Sequence, residues 1–141
     1  MKRINIPSVN SENCNTTFIF HDKKHEIINW IVDVECSTPS FTGKITMGVE
    51  NDCVKRFIED LEKIEKERKG DCQIYDEWSS SYTIRSVDSL GHFRFEVEIR
   101  DSRGSFGFTH EDGLRISYEI EPSLLITLLK EFKDLYNKNW S

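Results

Sequence analysis

The sequence predicts an α+β domain: an antiparallel sheet of about six strands with two helices packed on one face, in the order β-β-β-α-β-β-β-α. Three observations carry this reading. Five segments alternate apolar with polar residues, as half-buried strands do, and the short apolar run Phe18 to Phe20 adds a sixth strand candidate. Two others switch to a spacing of three and four, as amphipathic helices do. Each helix carries one apolar stripe and each strand one apolar face, so the helices need a surface to lie on and the strands need a cover.

The chain has 141 residues, about one domain, enough to bury roughly 68–70% of the surface the unfolded chain exposes. Met1 to about Asn15 is polar and without period and reads as a flexible arm, leaving residues 16–141 as a single domain. The first strand is Phe18 to Phe20, ended by the charged turn HDKKHE. In IINWIVDVEC, Ile28, Trp30, Val32, Val34 and Cys36 share one face, opposite Asn29, Asp33 and Glu35. STPS turns the chain, and FTGKITMGV repeats the alternation with Phe41, Ile45, Met47 and Val49 inward. In NDCVKRFIEDLEKIEKERKG, Val54, Phe57, Ile58, Leu61 and Ile64 then form a helical stripe. Asn51 or Asp52 is placed to cap that helix and Gly70 to end it with positive φ.

WSSSYTIRSV sets Trp78, Tyr82 and Ile84 on one side, and DSLG makes a turn. HFRFEVEIRD then points Phe93, Phe95, Val97 and Ile99 inward, with His92, Arg94, Glu96, Glu98 and Arg100 outward. SRGSFGFTHEDG is spaced by glycines, with room for a short strand at Phe106 and Phe108, and LRISYEI gives the last alternation through Leu114, Ile116, Tyr118 and Ile120. EPSLLITLLKEFKDLYNKNW is the strongest helix, with Pro122 suited to its first position. Its stripe of Leu125, Leu128, Leu129, Phe132, Leu135 and Tyr136 is worth about 10 kcal/mol of burial or more at roughly 1.5–3 kcal/mol per side chain. Residues 18–69 and 73–138 have the outline of a repeat of three strands and a helix, with residue identity too low to establish it.

A formal charge of −6 argues against a nucleic-acid partner, because such binding needs Lys and Arg against phosphate. Cys14, Cys36, Cys53 and Cys72 include no CxxC pair, so they seed neither a zinc nor a redox site and read as reduced thiols of a cytoplasmic protein. The start of the chain lacks the apolar core of a signal peptide, and no apolar run is long enough for a membrane span. His21 and His25 have the H-x-x-x-H spacing of a helical zinc pair, but HDKKH lies between strand-like segments, where a charged turn is the simpler reading. SRGSFG lacks the spacing of a phosphate loop. Cys53 lies in the first turn of a helix, which lowers a thiol pKa, beside Glu50 and Asp52, which raise it. No catalytic residue, metal ligand or cofactor is therefore assigned.

His92 is the nearest approach to an active site. As a general base beside Glu96 or Glu98 it would define a small hydrolase, yet the same row holds Arg94 and Arg100, as a mutually paired sheet face does. Carboxylates gather on the presumed non-helical side: Asp33, Glu35, Asp76, Glu77, Glu96, Glu98, Asp101, Glu111, Asp112 and Glu119. Such a patch serves either plain solubility or the capture of a basic protein.

The order of elements and a few short motifs resemble the WapI-type immunity proteins, small bacterial proteins that neutralise the C-terminal toxin domains of wall-associated and contact-dependent proteins. The resemblance lies in F-T-G at Phe41 to Gly43, in Asp52, Phe57 and Leu61 of the first helix, in Gly91-His92 opening a strand, and in the acid and leucine-rich helix of EPSLLITLLKEF. It covers roughly residues 28 to 136. The helix start at Glu121-Pro122 departs from the pattern, as does the length of SRGSFGFTHEDG. What it implies is a cytoplasmic protein, monomer or homodimer, with no catalysis of its own. Such a protein plugs the active site of a cognate toxin domain, often a basic nuclease acting on tRNA. Asp33, Glu35, Asp76, Glu77, Glu96, Glu98, Glu111 and Asp112 are the expected contacts by charge, with Trp78 or Phe106 as an aromatic anchor. The alternatives are the His92 hydrolase and a general protein-binding adaptor.

Overall fold

A computed structural model describes residues 1–9, 14–22, 29–76, 79–102 and 111–140. The first half holds β1 (Lys2–Pro7), β2 (Asn15–Phe20), β3 (Asn29–Thr38), β4 (Phe41–Glu50) and α1 (Asn51–Glu67). In the second half come β5 (Asp71–Asp76), β6 (Ser80–Ser86), β7 (Phe93–Ser102), β8 (Glu111–Ile120) and α2 (Leu124–Trp140). The α+β class stands, but the single sheet of six strands does not. Two four-stranded antiparallel sheets are present, in the orders β1-β2-β3-β4 and β5-β6-β7-β8.

The two added strands are β1 and β5. Lys2–Pro7 had the look of a loose arm, yet Ile4 and Ile6 are fully buried and the strand pairs with β2 along its length. Cys72 and Ile74 do the same for β5. Each is a short edge strand with two inward side chains, too few to announce a period of two. The expected strand at Phe106 and Phe108 lies outside the described residues.

Every inward face forecast for β3, β6 and β7 is buried at its centre: Trp30, Val32, Val34 and Cys36, then Tyr82 and Ile84, then Phe93, Phe95 and Val97. Phe41 is the exception on β4, being exposed at the hairpin end. Both helical stripes are buried as read, except that Tyr136, last in the second, is only half-buried. Helix boundaries differ in instructive ways. Asn51 does not cap α1; its Oδ1 accepts from Trp30 Nε1 at 3.1 Å and its Nδ2 donates to Tyr136 Oη at 3.3 Å, because a buried indole N–H needs an acceptor. The left-handed ending falls on Arg68 (φ 59°), whose N–H donates to Ile64 O at 2.8 Å, and Gly70 (φ 109°) follows in the exit. Regular helix in α2 starts at Leu124, after a turn in which Leu124 N donates to Glu121 O and Leu125 N to Pro122 O.

The repeat glimpsed in the sequence is a full ββββα unit, used twice. Strand register and burial align Trp30 with Phe93, Val32 with Phe95, Phe18 with Tyr82, Met47 with Tyr118 and Val49 with Ile120. The helical stripes align Val54, Phe57, Ile58, Leu61 and Ile64 with Leu125, Leu128, Leu129, Phe132 and Leu135. Aligned positions also meet each other, as residues near a two-fold axis do. Phe18 packs edge-on against Tyr82 with ring centroids 5.0 Å apart, and Lys133 Nζ reaches Glu62 Oε1 at 2.9 Å. Reciprocal contacts agree: Tyr118 Oη bonds Thr16 Oγ1 at 3.0 Å, and the corresponding Ser80 Oγ donates to Met47 Sδ at 3.5 Å.

One core results. The sheets face each other through Phe18, Tyr82 and Phe95, while Phe20 and Trp30 turn toward Phe132 and Tyr136 of α2. Helix α1 lies against β4 and β5, and α2 against α1 and β1. The helix pair thus closes a core shared by both sheets instead of covering one sheet. This leaves two outer sheet faces, one on each side of the molecule.

Candidate functional site

Two stacked sheets divide the carboxylates that a single sheet would have gathered. Asp33 and Glu35 stand on the outer face of the first sheet, and Glu96, Glu98 and Glu119 on that of the second. Asp76 ends β5 and accepts from Gly48 N at 3.1 Å, joining β5 to β4. Glu77, Trp78 and Phe106, like His25 and Ile28, lie outside the described residues. Glu111 and Asp112 belong to β8 by their backbone, opposite Ser102 and Asp101, and their side chains lie outside the description.

The acids are paired where they stand. Asp33 receives Thr46 Oγ1 at 2.6 Å and has His21 Nε2 at 2.7 Å; the Thr46 hydrogen bond, then that of His21, holds its carboxyl below the usual range. Glu35 faces Lys44 Nζ at 3.4 Å. On the second sheet Glu96 is 3.6 Å from Arg85 Nε. Glu98 accepts Arg100 Nε and Nη2 at 2.9 and 2.7 Å and lies 3.6 Å from Arg115, and the Arg100 hydrogen bond keeps its pKa low. These exposed pairs add little to stability. At Asp33, Glu35, Glu96 and Glu98 the carboxylate charge is therefore met by a neighbour on the same face.

The outer face of the second sheet is also concave. Gln73, Ser81, Thr83, Arg85, Arg94, Glu96, Glu98, Arg115 and Ser117 line an open hollow of about 440 Å³, and a neighbouring one of about 270 Å³ continues past Tyr75, Asp76 and Arg100. Glu96 and Glu98 were expected here by charge. Arg85, Arg94, Arg115, Thr83 and Ser117 were not chosen, because arginines interleaved with acids read only as neutralising partners.

His92 stands apart from this hollow. Its Nδ1 lies 2.6 Å from Asp88 Oδ2, and Asp88 Oδ1 accepts from the N–H groups of Leu90 and His92. The aspartate folds the turn around itself, Gly91 supplies a positive φ of 86°, and the hydrogen bond from Asp88 raises the His92 pKa. The histidine closes a turn. It touches neither Glu96 nor Glu98.

The thiols are equally quiet. Burial pushes the Cys36, Cys53 and Cys72 pKa values up, so the helix start does not activate Cys53, whose Sγ points at Tyr75 O, 3.9 Å away. Among the described residues no group of three or more His, Cys, Asp or Glu is arranged to hold a metal ion, and no helix is long and apolar enough to cross a membrane. Set against protein families, curated proteins and solved structures, the chain matches none.

Proposed function

We propose that the chain is an immunity-type binding protein that docks a partner protein on the outer face of its second sheet and blocks the partner's active site, with no catalysis of its own. The partner is a cognate bacterial toxin domain of the basic nuclease type, met in the cytoplasm. The observation that carries this reading is the open, charged hollow lined by Glu96, Glu98, Arg85, Arg94 and Arg115. Small-molecule sites are enclosed and mostly apolar, with few polar groups. A wide face of paired acids and arginines instead offers a protein many polar contacts in fixed register. An interface of about 1,600 Å² centred there is of ordinary size for a tight complex.

Charge balance modifies the expected chemistry. Glu96 and Glu98 reach a basic partner by exchanging their arginines for its lysines, so affinity rests on geometry more than on bulk attraction. The test is co-expression with a toxin domain encoded beside the gene. Protection of the host and a stable complex are expected, lost on Glu96→Lys with Glu98→Lys. Protection that survives this double reversal removes the second sheet as the docking face, and wild-type protein that neither protects nor binds removes the immunity reading.

A further inference from the structure

The internal repeat marks one acid of the second face as unlike its counterpart on the first. On each outer face the second strand sends a cationic or imidazole side chain to an acid on the third, His21 to Asp33 and Arg85 to Glu96. Each third strand also sends an acid to a cation on the fourth, Glu35 to Lys44 and Glu98 to Arg115. The plan of bridges is shared, but the first bridge is closed on one face and loose on the other.

Asp33 is held on both oxygens: Thr46 Oγ1 donates to Oδ1 at 2.6 Å, and His21 Nε2 lies 2.7 Å from Oδ2. At the aligned place Glu96 stands in register between Thr83 and Ser117, with Ser117 in the position of Thr46. Yet the Glu96 carboxylate has no hydrogen bond with any described residue, and its ion pair with Arg85 Nε spans 3.6 Å. Burial does not account for the difference, since the two acid side chains are 37% and 39% exposed.

The surroundings let that loose pair open. Asp71 stands directly across from Arg85 and Glu119 directly across from Arg94, while Glu98 holds Arg100 at 2.7 Å and lies 3.6 Å from Arg115. Each of these arginines thus has an acid beside it other than Glu96. Around Glu96 the floor of the hollow is uncharged and polar, a row of Gln73, Thr83 and Ser117 across the sheet. Where the first sheet has Ile19 at 6% exposure, the second has Thr83 at 7%.

We infer that Glu96, with Thr83 and Ser117 on either side, is a socket for one lysine side chain that the partner protein inserts into this hollow. An ammonium is a compact head with three donors, and the site offers it a carboxylate flanked by two hydroxyl oxygens. Neighbouring strands are about 4.8 Å apart, so both hydroxyls stand one strand away from the charge they flank. As the lysine enters, Arg85 turns from Glu96 toward Asp71. The net charge of −6 favours a cationic occupant over an anionic one. That the lysine belongs to a blocked toxin rests on the proposed function; the socket itself is testable without that partner.

The experiment follows the Asp and Glu side-chain carboxyl carbons of the full chain by NMR while N-acetyl-Gly-Lys-Gly-amide is added, with the norleucine and Arg versions of the peptide as controls. Saturable shifts at Glu96 and none at Asp33 are expected, half complete at about tens of millimolar, as suits a single side chain. The norleucine peptide lacks the ammonium and should shift neither. Glu96→Gln should weaken lysine binding at least about fivefold, and Ser117→Ala by less. Equal shifts at Asp33 and Glu96, shifts that do not saturate, or binding unchanged in a folded Glu96→Gln protein overturn the socket. An Arg peptide that binds more tightly overturns the lysine assignment. A wild-type protein that binds the lysine peptide but gives no toxin protection tells against the immunity reading alone.

Discussion

Beside its repeated ion bridges, the outer face of the first sheet holds Ile19, Ile31 and Gly48; at the same register the second holds Thr83, Arg94 and Glu119. The two faces share a plan of bridges and differ in what lies between them. A scaffold that folds with either set does not need the polar set for folding. That difference is the ground on which the second face is proposed as the contact surface.

The comparison is broken most severely at the axis. Phe18→Ala and Tyr82→Ala remove aligned, fully buried rings and are each expected to cost about 3–5 kcal/mol in urea unfolding; a cost at one site that is much the smaller would show that the halves do not share the core equally. By contrast Tyr82→Phe gives both halves a phenylalanine there. The Tyr82 hydroxyl is buried with no hydrogen-bond partner among the described residues, so this change should leave stability unaltered or raise it by up to about 1 kcal/mol.

Between the faces, charge reversal at Glu96 and Glu98 is expected to weaken partner binding by about 100-fold, in the range of interface hot spots, measured by calorimetry. The aligned reversal at Asp33 and Glu35 should change it by less than about threefold, as rim charges do. Equal losses would remove the distinction between the faces. A smaller effect is expected at Gly48, where an added Cβ meets no atom within 4 Å. Gly48→Ala should stabilise by about 0.4–1 kcal/mol through the unfolded chain, read as a higher midpoint in urea.

The least effect belongs to His92, whose aligned turn in the first half lies outside the described residues. Asp88 raises the histidine pKa above its ordinary 6.5, so this pairing favours the fold most fully below that value and less as pH rises through the folded-state pKa. Asp88, held below its ordinary 3.8, gives up its share as pH falls through its own folded-state pKa. In Asp88→Asn the His92 titration followed by NMR should move down toward 6.5. An unmoved midpoint would mean that the turn is not closed by this pair.

Much of this architecture was legible from spacing. Alternation located β3, β4, β6, β7 and β8, the apolar run Phe18 to Phe20 located β2, the three-and-four spacing located both helices, and the inward residues of the alternating strands were named almost individually. Glu96 and Glu98 were likewise placed on one outward row, with His92 at a turn. Short edge strands escaped because two inward side chains, Ile4 with Ile6 or Cys72 with Ile74, do not make a period. Residue identity concealed the repeat, since what recurs at Phe18 and Tyr82, or at Met47 and Tyr118, is burial and not chemistry.

The sequence by itself determined which side of each strand and helix is buried, because desolvation acts on every apolar side chain in its own place. Only the tertiary structure decided what each buried side meets. A strand's alternation is satisfied equally by a helix or by another sheet, so it cannot tell one sheet of six strands from two of four. That choice divided the carboxylates between opposite surfaces, Asp33 and Glu35 on one and Glu96, Glu98 and Glu119 among arginines on the other.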